Sequence, residues 1–145
     1  MIETKHRPLL GITIGDPSGI GPEIILKALD EEGIFEICKP VVLGPEEVLT
    51  RAGKVIGKES LNIHKIENPK DGIYEKGTID IIEPGKYDLE TLVWGKEQAL
   101  AGQIAIDSIK LSIKLGMEKK LDAVTTAPIN KVAIKMVGVK QEGHT

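Results

Sequence analysis

The stretch PLLGITIGDPSGIGPEI, residues 8–24, decides the fold. Its first half is a short apolar run rich in Leu and Ile, closed by glycine, and reads as a buried strand over 8–14. Three glycines (Gly15, Gly19, Gly21) and two prolines (Pro17, Pro22) then follow within eight positions. From Pro22 the pattern turns helical: Ile24, Ile25, Ala28 and Leu29 recur at offsets of three and four, and Gly33 supplies a stop. A buried strand, a glycine turn and a helix in that order open a β-α-β unit.

The rest of the chain continues the alternation. KPVVLG (39–44) reads as a second buried strand, and PEEVLTRAGKVIG (45–57) as a helix with proline and two glutamates in its first turn, where the helix dipole favours them. In 58–94, SLNIHKI and GTIDIIE alternate like strands and NPKDG and EPGKYD read as turns, which predicts a meander or edge elaboration. GKEQALAGQIAIDSIKLSIKLG (95–116) is the longest helical segment, with Ala99, Gln103, Ile106, Ile109 and Ile113 on one face and Gly116 as a stop. LDAVTTAP (121–128) reads as strand to loop, INKVAIKMVG (129–138) as a short helix, and VKQEGHT (139–145) as a loop. Strands alternating with helices predict an α/β architecture with a mostly parallel sheet. Ligands of such sheets sit beyond the carboxyl ends of strands, where the loops 15–23 and 125–131 fall.

Composition narrows the function classes. The 145 residues suit one hydrophobic core, with 41% hydrophobic and 28% charged residues. Against 22 acidic residues stand 19 basic ones, scattered without a stripe that would track a phosphate backbone, and aromatic content is 3%. Both features argue against a nucleic-acid partner. A single cysteine, Cys38, allows no internal disulfide, the start MIETKHRPLL has no apolar signal region, and no stretch reaches membrane-spanning length. A cytoplasmic chain with no membrane partner is the expectation.

The chemistry-bearing candidates are few. Glycines in 15–23 let a ligand or another segment approach the backbone, and Asp16 is placed to accept loop amides or to face a substrate. There is no Gly-Lys-Ser/Thr for a phosphate loop, and Ile24 breaks the dinucleotide glycine spacing. A purely structural turn reads the same way. In TTAPINK (125–131), Thr125 and Thr126 offer hydroxyls, and Asn130 and Lys131 are possible cleft-lining residues; Lys131 suits a phosphate or carboxylate as a point charge. An ordinary helix cap beside a surface lysine is the plainer alternative. His144 is a candidate base, hydrogen-bond donor or ligand. His6 and His64 show no carboxylate or histidine partner at ligand spacing, Cys38 is expected to pack, and no Ser/His/Asp, Cys/His or zinc set is present.

Taken together, GDPSGIGPEI, a long helix containing AGQ, DAVTTAPINK and then GHT resemble the 4-hydroxythreonine-4-phosphate dehydrogenase family in order and spacing across essentially the whole chain. The first motif is also similar to the GDGIGPE loop of isocitrate and isopropylmalate dehydrogenases, whose fold that family shares. The resemblance implies a three-layer α/β/α sandwich of the isocitrate/isopropylmalate dehydrogenase-like type, incomplete in this chain, and a fold that binds NAD without the dinucleotide glycine fingerprint. It implies NAD- or NADP-dependent oxidation of a small phosphorylated hydroxy acid, 4-phosphohydroxy-L-threonine in the best-known members, on the route to pyridoxal phosphate. A divalent metal (Zn, Mg or Co) would polarise the reacting hydroxyl. Members are homodimers with the active site at the subunit interface.

Carried over position by position, His144 and Thr145 match the family's substrate-binding His-Thr pair, and Asp16, Asn130 and Lys131 match positions lining or shaping the cleft. The family's three metal-ligand histidines, its basic phosphate-binding residues and most cofactor contacts fall beyond Thr145, so no metal ligand is expected within these residues. The chain is therefore expected to be the N-terminal α/β portion, residues 1–145, of a longer two-domain dehydrogenase, and inactive alone. Two alternatives stand beside this reading: a D-threonate or D-erythronate 4-phosphate dehydrogenase of sugar-acid catabolism, and a non-catalytic α/β binding or assembly module.

Overall fold

In the computed structural model, residues 6–58 and 61–138 are described. Five strands form one all-parallel sheet: β1 (Leu9–Thr13), β2 (Lys39–Leu43), β3 (Asn62–Lys65), β4 (Thr78–Ile82) and β5 (Ala123–Thr126), in the order β3-β4-β2-β1-β5. The helices are α1 (Gly21–Ala28), the single turn α2 (Ile34–Ile37), α3 (Glu46–Val55), α4 (Ala99–Met117) and α5 (Lys131–Met136). The expected α/β class and parallel sheet are observed.

Alternation along the strands divides the core in two. Ile12, Ile14, Val42, Ile79 and Ile81 face α1 and α3, meeting Ile25, Leu26, Leu29, Val48 and Leu49. On the other face Val41, Leu43 and Ile82 meet Leu111, Leu115 and Leu121 from α4 and its exit. The two layers follow from handedness. The chain moves from β1 to β2 through α1, but from β4 back past β1 to β5 through α4. Right-handed crossovers running in opposite directions put their helices on opposite faces.

Of the two forms expected for 58–94, the segment adopts the edge elaboration and not the meander. β3 and β4 are parallel neighbours in the main sheet, with His64 opposite Asp80 and Lys65 opposite Ile81. Their connection contains no α-helix, only a short 3-10 turn at Pro69–Asp71. What replaces the helix is a polar anchor. Asp80, 1% exposed, accepts the backbone N–H groups of Ile73 (3.0 Å) and Tyr74 (2.8 Å). Its Oδ1 also lies 2.8 Å from His64 Nδ1. The expectation that His64 lacks a carboxylate partner is thereby corrected. The pair comes from neighbouring strands 16 residues apart, beyond the reach of local spacing. Tyr74 is held at φ 55 by these bonds and closes the connection over the sheet.

The long helix also differs from its expected form. Residues 95–98 are not helical, because Gly95 has φ 73 and Gln98 is extended. The buried residues are Ala101, Gly102, Ile104, Ala105, Ile106, Ser108, Ser112 and Leu115, so of the expected face Ile106 is buried. Ala99, Gln103 and Ile113 point away from them, and Ile113 is 59% exposed. The helix therefore carries a second apolar line that the sheet does not cover. In α1, Ile25 and Leu29 are buried as expected, whereas Ile24 and Ala28 are exposed.

α4 and α5 meet through Gly102, where a Cβ would fall onto the backbone carbonyl of Ala133. Gly102→Ala is expected to displace α5 and cost about 1–3 kcal/mol, because backbone cannot yield as a side chain can. Gly116→Ala, in the same helix with open space around it, is expected to stabilise by up to about 1 kcal/mol. Urea unfolding of the two variants checks the contrast.

The two tyrosines give a pH signature. Burial pushes the Tyr74 phenol above its usual range. Burial and the bond from its hydroxyl to Asp107 (2.8 Å) do the same for Tyr87. Both phenols prefer the neutral form in the fold, so their contribution is fully present below about pH 10, the unfolded value, and is lost as pH rises above it. Spectrophotometric titration is expected to show tyrosinate appearing together with unfolding, not as a free titration near pH 10.

Candidate functional site

The junction of β1 and β5 is the sheet's topological switch point, since the chain leaves β1 toward β2 and reaches β5 from the other side. Ligand crevices of open parallel sheets form outside the carboxyl ends of strands at such a junction. Here the turns after the two strands touch. Ala127 N donates to Thr13 O (3.0 Å), and Asp16 N donates to Pro128 O (2.8 Å). Gly15 has φ 72, and a Cβ there would meet the carbonyl oxygens of Pro128 and Ala127, the second at 2.7 Å. A Cβ on Gly21 would stand 2.9 Å from Ile14 O and 3.0 Å from Ala127 Cβ. Gly15 is needed because backbone of the turn after β5 occupies the space a side chain would take, and Gly21 because the Ile14 carbonyl and the Ala127 methyl do.

The charged and polar groups of the turns are mostly engaged locally. Asp16 Oδ1 accepts from Ser18 N (3.0 Å) and Ser18 Oγ (2.9 Å), so its carboxylate folds back and shapes its own turn. Asn130 Oδ1 accepts from Ala133 N (2.9 Å) and caps α5, the plainer of its two readings. Lys131 opens α5 and is exposed. Thr126 Oγ1 donates to Ala127 O (2.8 Å). Asp16, Asn130 and Lys131 thus come from two touching turns on one edge of the sheet. His144 and Thr145 lie outside the described residues.

A third segment, not anticipated from sequence, completes this edge. Ser18, buried, receives Gly95 N at its carbonyl (2.7 Å), and its Oγ, whose one proton is shared between Asp16 Oδ1 and Lys96 O, lies 3.0 Å from the latter. Gln98 fixes the same turn, accepting Val93 N at Oε1 (3.2 Å) and donating Nε2 to Val93 O (2.7 Å). Beside it the Arg51 guanidinium stacks on Trp94, 4.8 Å from the ring centroid, and donates to Leu92 O (3.1 Å). The only hint in the sequence was Gly95, which was read as helix.

Electrostatically the neighbouring β2–α3 turn is closed to anions. Glu83 Oε2 accepts Glu46 N at the start of α3 (3.0 Å). Lys65 bridges Glu83 (3.2 Å) and Glu46 (3.5 Å), and the hydrogen bond to Glu83 raises the Lys65 ammonium above its ordinary value. Among the described residues no three His, Cys, Asp or Glu side chains stand together as a metal site. No helix among them is long and apolar enough to cross a membrane.

Known proteins align with this geometry over nearly its whole extent. A D-threonate 4-phosphate dehydrogenase by name from Symbiobacterium thermophilum is 46% identical over 139 residues, 96% of this chain and 41% of that protein. The 4-hydroxythreonine-4-phosphate dehydrogenase of Desulforapulum autotrophicum is 42% identical over 98% of this chain and 42% of its own length. Among solved structures, the 4-hydroxythreonine-4-phosphate dehydrogenase of Burkholderia phymatum superposes with a TM-score of 0.90 at 38% identity, over 97% of this chain and 42% of that one. The chain thus spans about two-fifths of the length of the relatives it matches. The model of the pyridoxal phosphate biosynthetic protein PdxA matches residues 36–145. With that match and the shared fold, this chain belongs to the PdxA family.

Proposed function

We propose that this chain is the N-terminal α/β portion of a two-domain, NAD- or NADP-dependent dehydrogenase acting on a four-carbon hydroxy acid phosphorylated at C4. The observation that carries the reading is the family match over residues 36–145, supported by the contact of the β1 and β5 turns at the switch point. The C3 hydroxyl carbon gives a hydride to the nicotinamide and the hydroxyl loses its proton, leaving a 3-oxo acid that decarboxylates readily. The leading substrate is 4-phosphohydroxy-L-threonine, giving a 2-amino-3-oxo acid phosphate for pyridoxal phosphate synthesis. D-threonate 4-phosphate is the second reading, favoured by the name of the 46%-identical relative. The two share the C3 hydroxyl and C4 phosphate and differ at C2.

In this reading His144 and Thr145 hydrogen-bond the substrate, while Asp16 and Asn130 hold the two turns in shape and Lys131 faces the anionic ligand. A divalent metal, when bound, would lower the pKa of the reacting hydroxyl. Among the described residues no three candidate ligand side chains stand together, and the reading takes the metal's ligands from the remainder of the longer protein. A cytoplasmic homodimer belongs to the same reading.

Co-expression of the chain with the portion of the Symbiobacterium relative beyond the matched segment, assayed for NADH or NADPH formation with both acids, tests it. Turnover of at least one acid is expected, with none from the 145-residue chain alone. A chain that neither turns over nor binds either acid by calorimetry would favour a non-catalytic module.

A further inference from the structure

Ser18 joins two loops that the chain keeps 78 residues apart. It is 3% exposed, and its hydroxyl oxygen lies 2.9 Å from Asp16 Oδ1 and 3.0 Å from Lys96 O. A serine hydroxyl has one proton to give, so at any moment one of these two acceptors goes without it. The carboxylate is the stronger acceptor because it is charged. While it is unengaged it keeps the proton, and Lys96 O faces an oxygen lone pair.

The Asp16 carboxylate has a second oxygen. Oδ1 takes both bonds from Ser18, whereas Oδ2 has no partner among the described residues. Asp16 is half-buried, so Oδ2 is open to a donor from outside. A hydroxyl or ammonium bonded there draws negative charge away from Oδ1 and weakens it as an acceptor. The balance at Ser18 then tips toward Lys96 O. On that side the 93–98 turn already hangs on Ser18 through Gly95 N, and it carries Trp94, 42% exposed, against Arg51.

We propose that Ser18 is a positioning residue that couples Asp16 to the 93–98 turn. Its hydroxyl points to Asp16 while the carboxylate is free and rotates to Lys96 O when a ligand's hydroxyl or ammonium engages Oδ2. The O–H bond stays intact throughout; only its direction changes. The 93–98 turn is thereby fastened to the glycine turn in the liganded state. The coupling rests on the reading that the glycine turn faces the ligand.

Asp16→Asn stands in for the engaged carboxylate, since it keeps an oxygen for Ser18 N and removes the charge. Trp94 is the one tryptophan of the chain, so acrylamide quenching of its fluorescence reads the turn, and amide exchange at Gly95 reads the bond to Ser18 O. Asp16→Asn is expected to slow Gly95 exchange about fivefold and to reduce the quenching of Trp94. In a Ser18→Ala background the same substitution is expected to change neither. Glu23→Gln removes a charge from the first turn of α1 without a bond to Ser18, and it too is expected to change neither. That contrast decides the matter even where Ser18→Ala does not fold. No response to Asp16→Asn, an equal response to Glu23→Gln, or a response undiminished in folded Ser18→Ala would overturn the proposal. The measurements use no substrate, so their outcome is separate from whether the chain binds or oxidises either acid.

Discussion

Gly15→Ala is expected to destabilise the chain by about 2–5 kcal/mol, as the sum of two effects that a control separates. Alanine in the left-handed region costs about 1–2 kcal/mol, and Gly15 sits at φ 72. Displacing packed backbone costs about 1–3 kcal/mol more, because the new methyl would meet the carbonyls of Ala127 and Pro128. Gly33 has φ 88 but open space around it, so Gly33→Ala isolates the conformational part at about 1–2 kcal/mol. Denaturant unfolding of the two variants measures the difference. Equal costs would mean that the β1 and β5 turns do not press against each other as described.

Asp80→Ala is expected to cost about 3–5 kcal/mol, from a different source. The carboxylate satisfies two backbone N–H groups and His64, and it holds Tyr74 in its positive-φ conformation. Each buried donor left without an acceptor costs about 1–3 kcal/mol. Asp80→Asn retains one oxygen and is expected to lose less. His64→Ala removes only the half-buried partner and is expected to cost about 1 kcal/mol. If Asp80→Ala and His64→Ala prove equal in thermal unfolding, the aspartate is not anchoring the 66–77 connection.

How far the sequence could be read depended on whether local pattern carried the information. β1, β2, α1 and α3 declare themselves through apolar runs and helical spacing, because each buries one face against a neighbour close in the chain. The β3–β4 unit hides itself. It lacks a crossover helix and is tied together by a buried aspartate and a histidine, which look like polar surface in a one-dimensional pattern. α4 misleads in another way: it carries two apolar lines, and Ile113 lies on the line that the sheet leaves open. The glycine turn and TTAPINK were recognisable as a potential site, since strand ends followed by glycine or proline are legible. The plainer reading of Asn130 as a cap needed the bond to Ala133 N to decide it. Ser18 and the 93–98 turn were not legible. Their contact bridges 78 residues and involves backbone carbonyls that no side-chain pattern encodes.

The central claim is that the turns after β1 and β5 act as one ligand-facing unit. An amide NMR titration of the chain with 4-phosphohydroxy-L-threonine, repeated with D-threonate 4-phosphate, tests it most directly. The account predicts that Gly15, Asp16, Ser18 and Gly19 shift together with Ala127, Asn130 and Lys131, along one saturating curve, for at least one of the two acids. Saturable shifts confined to one turn, or no shift in either turn with both acids, would contradict it.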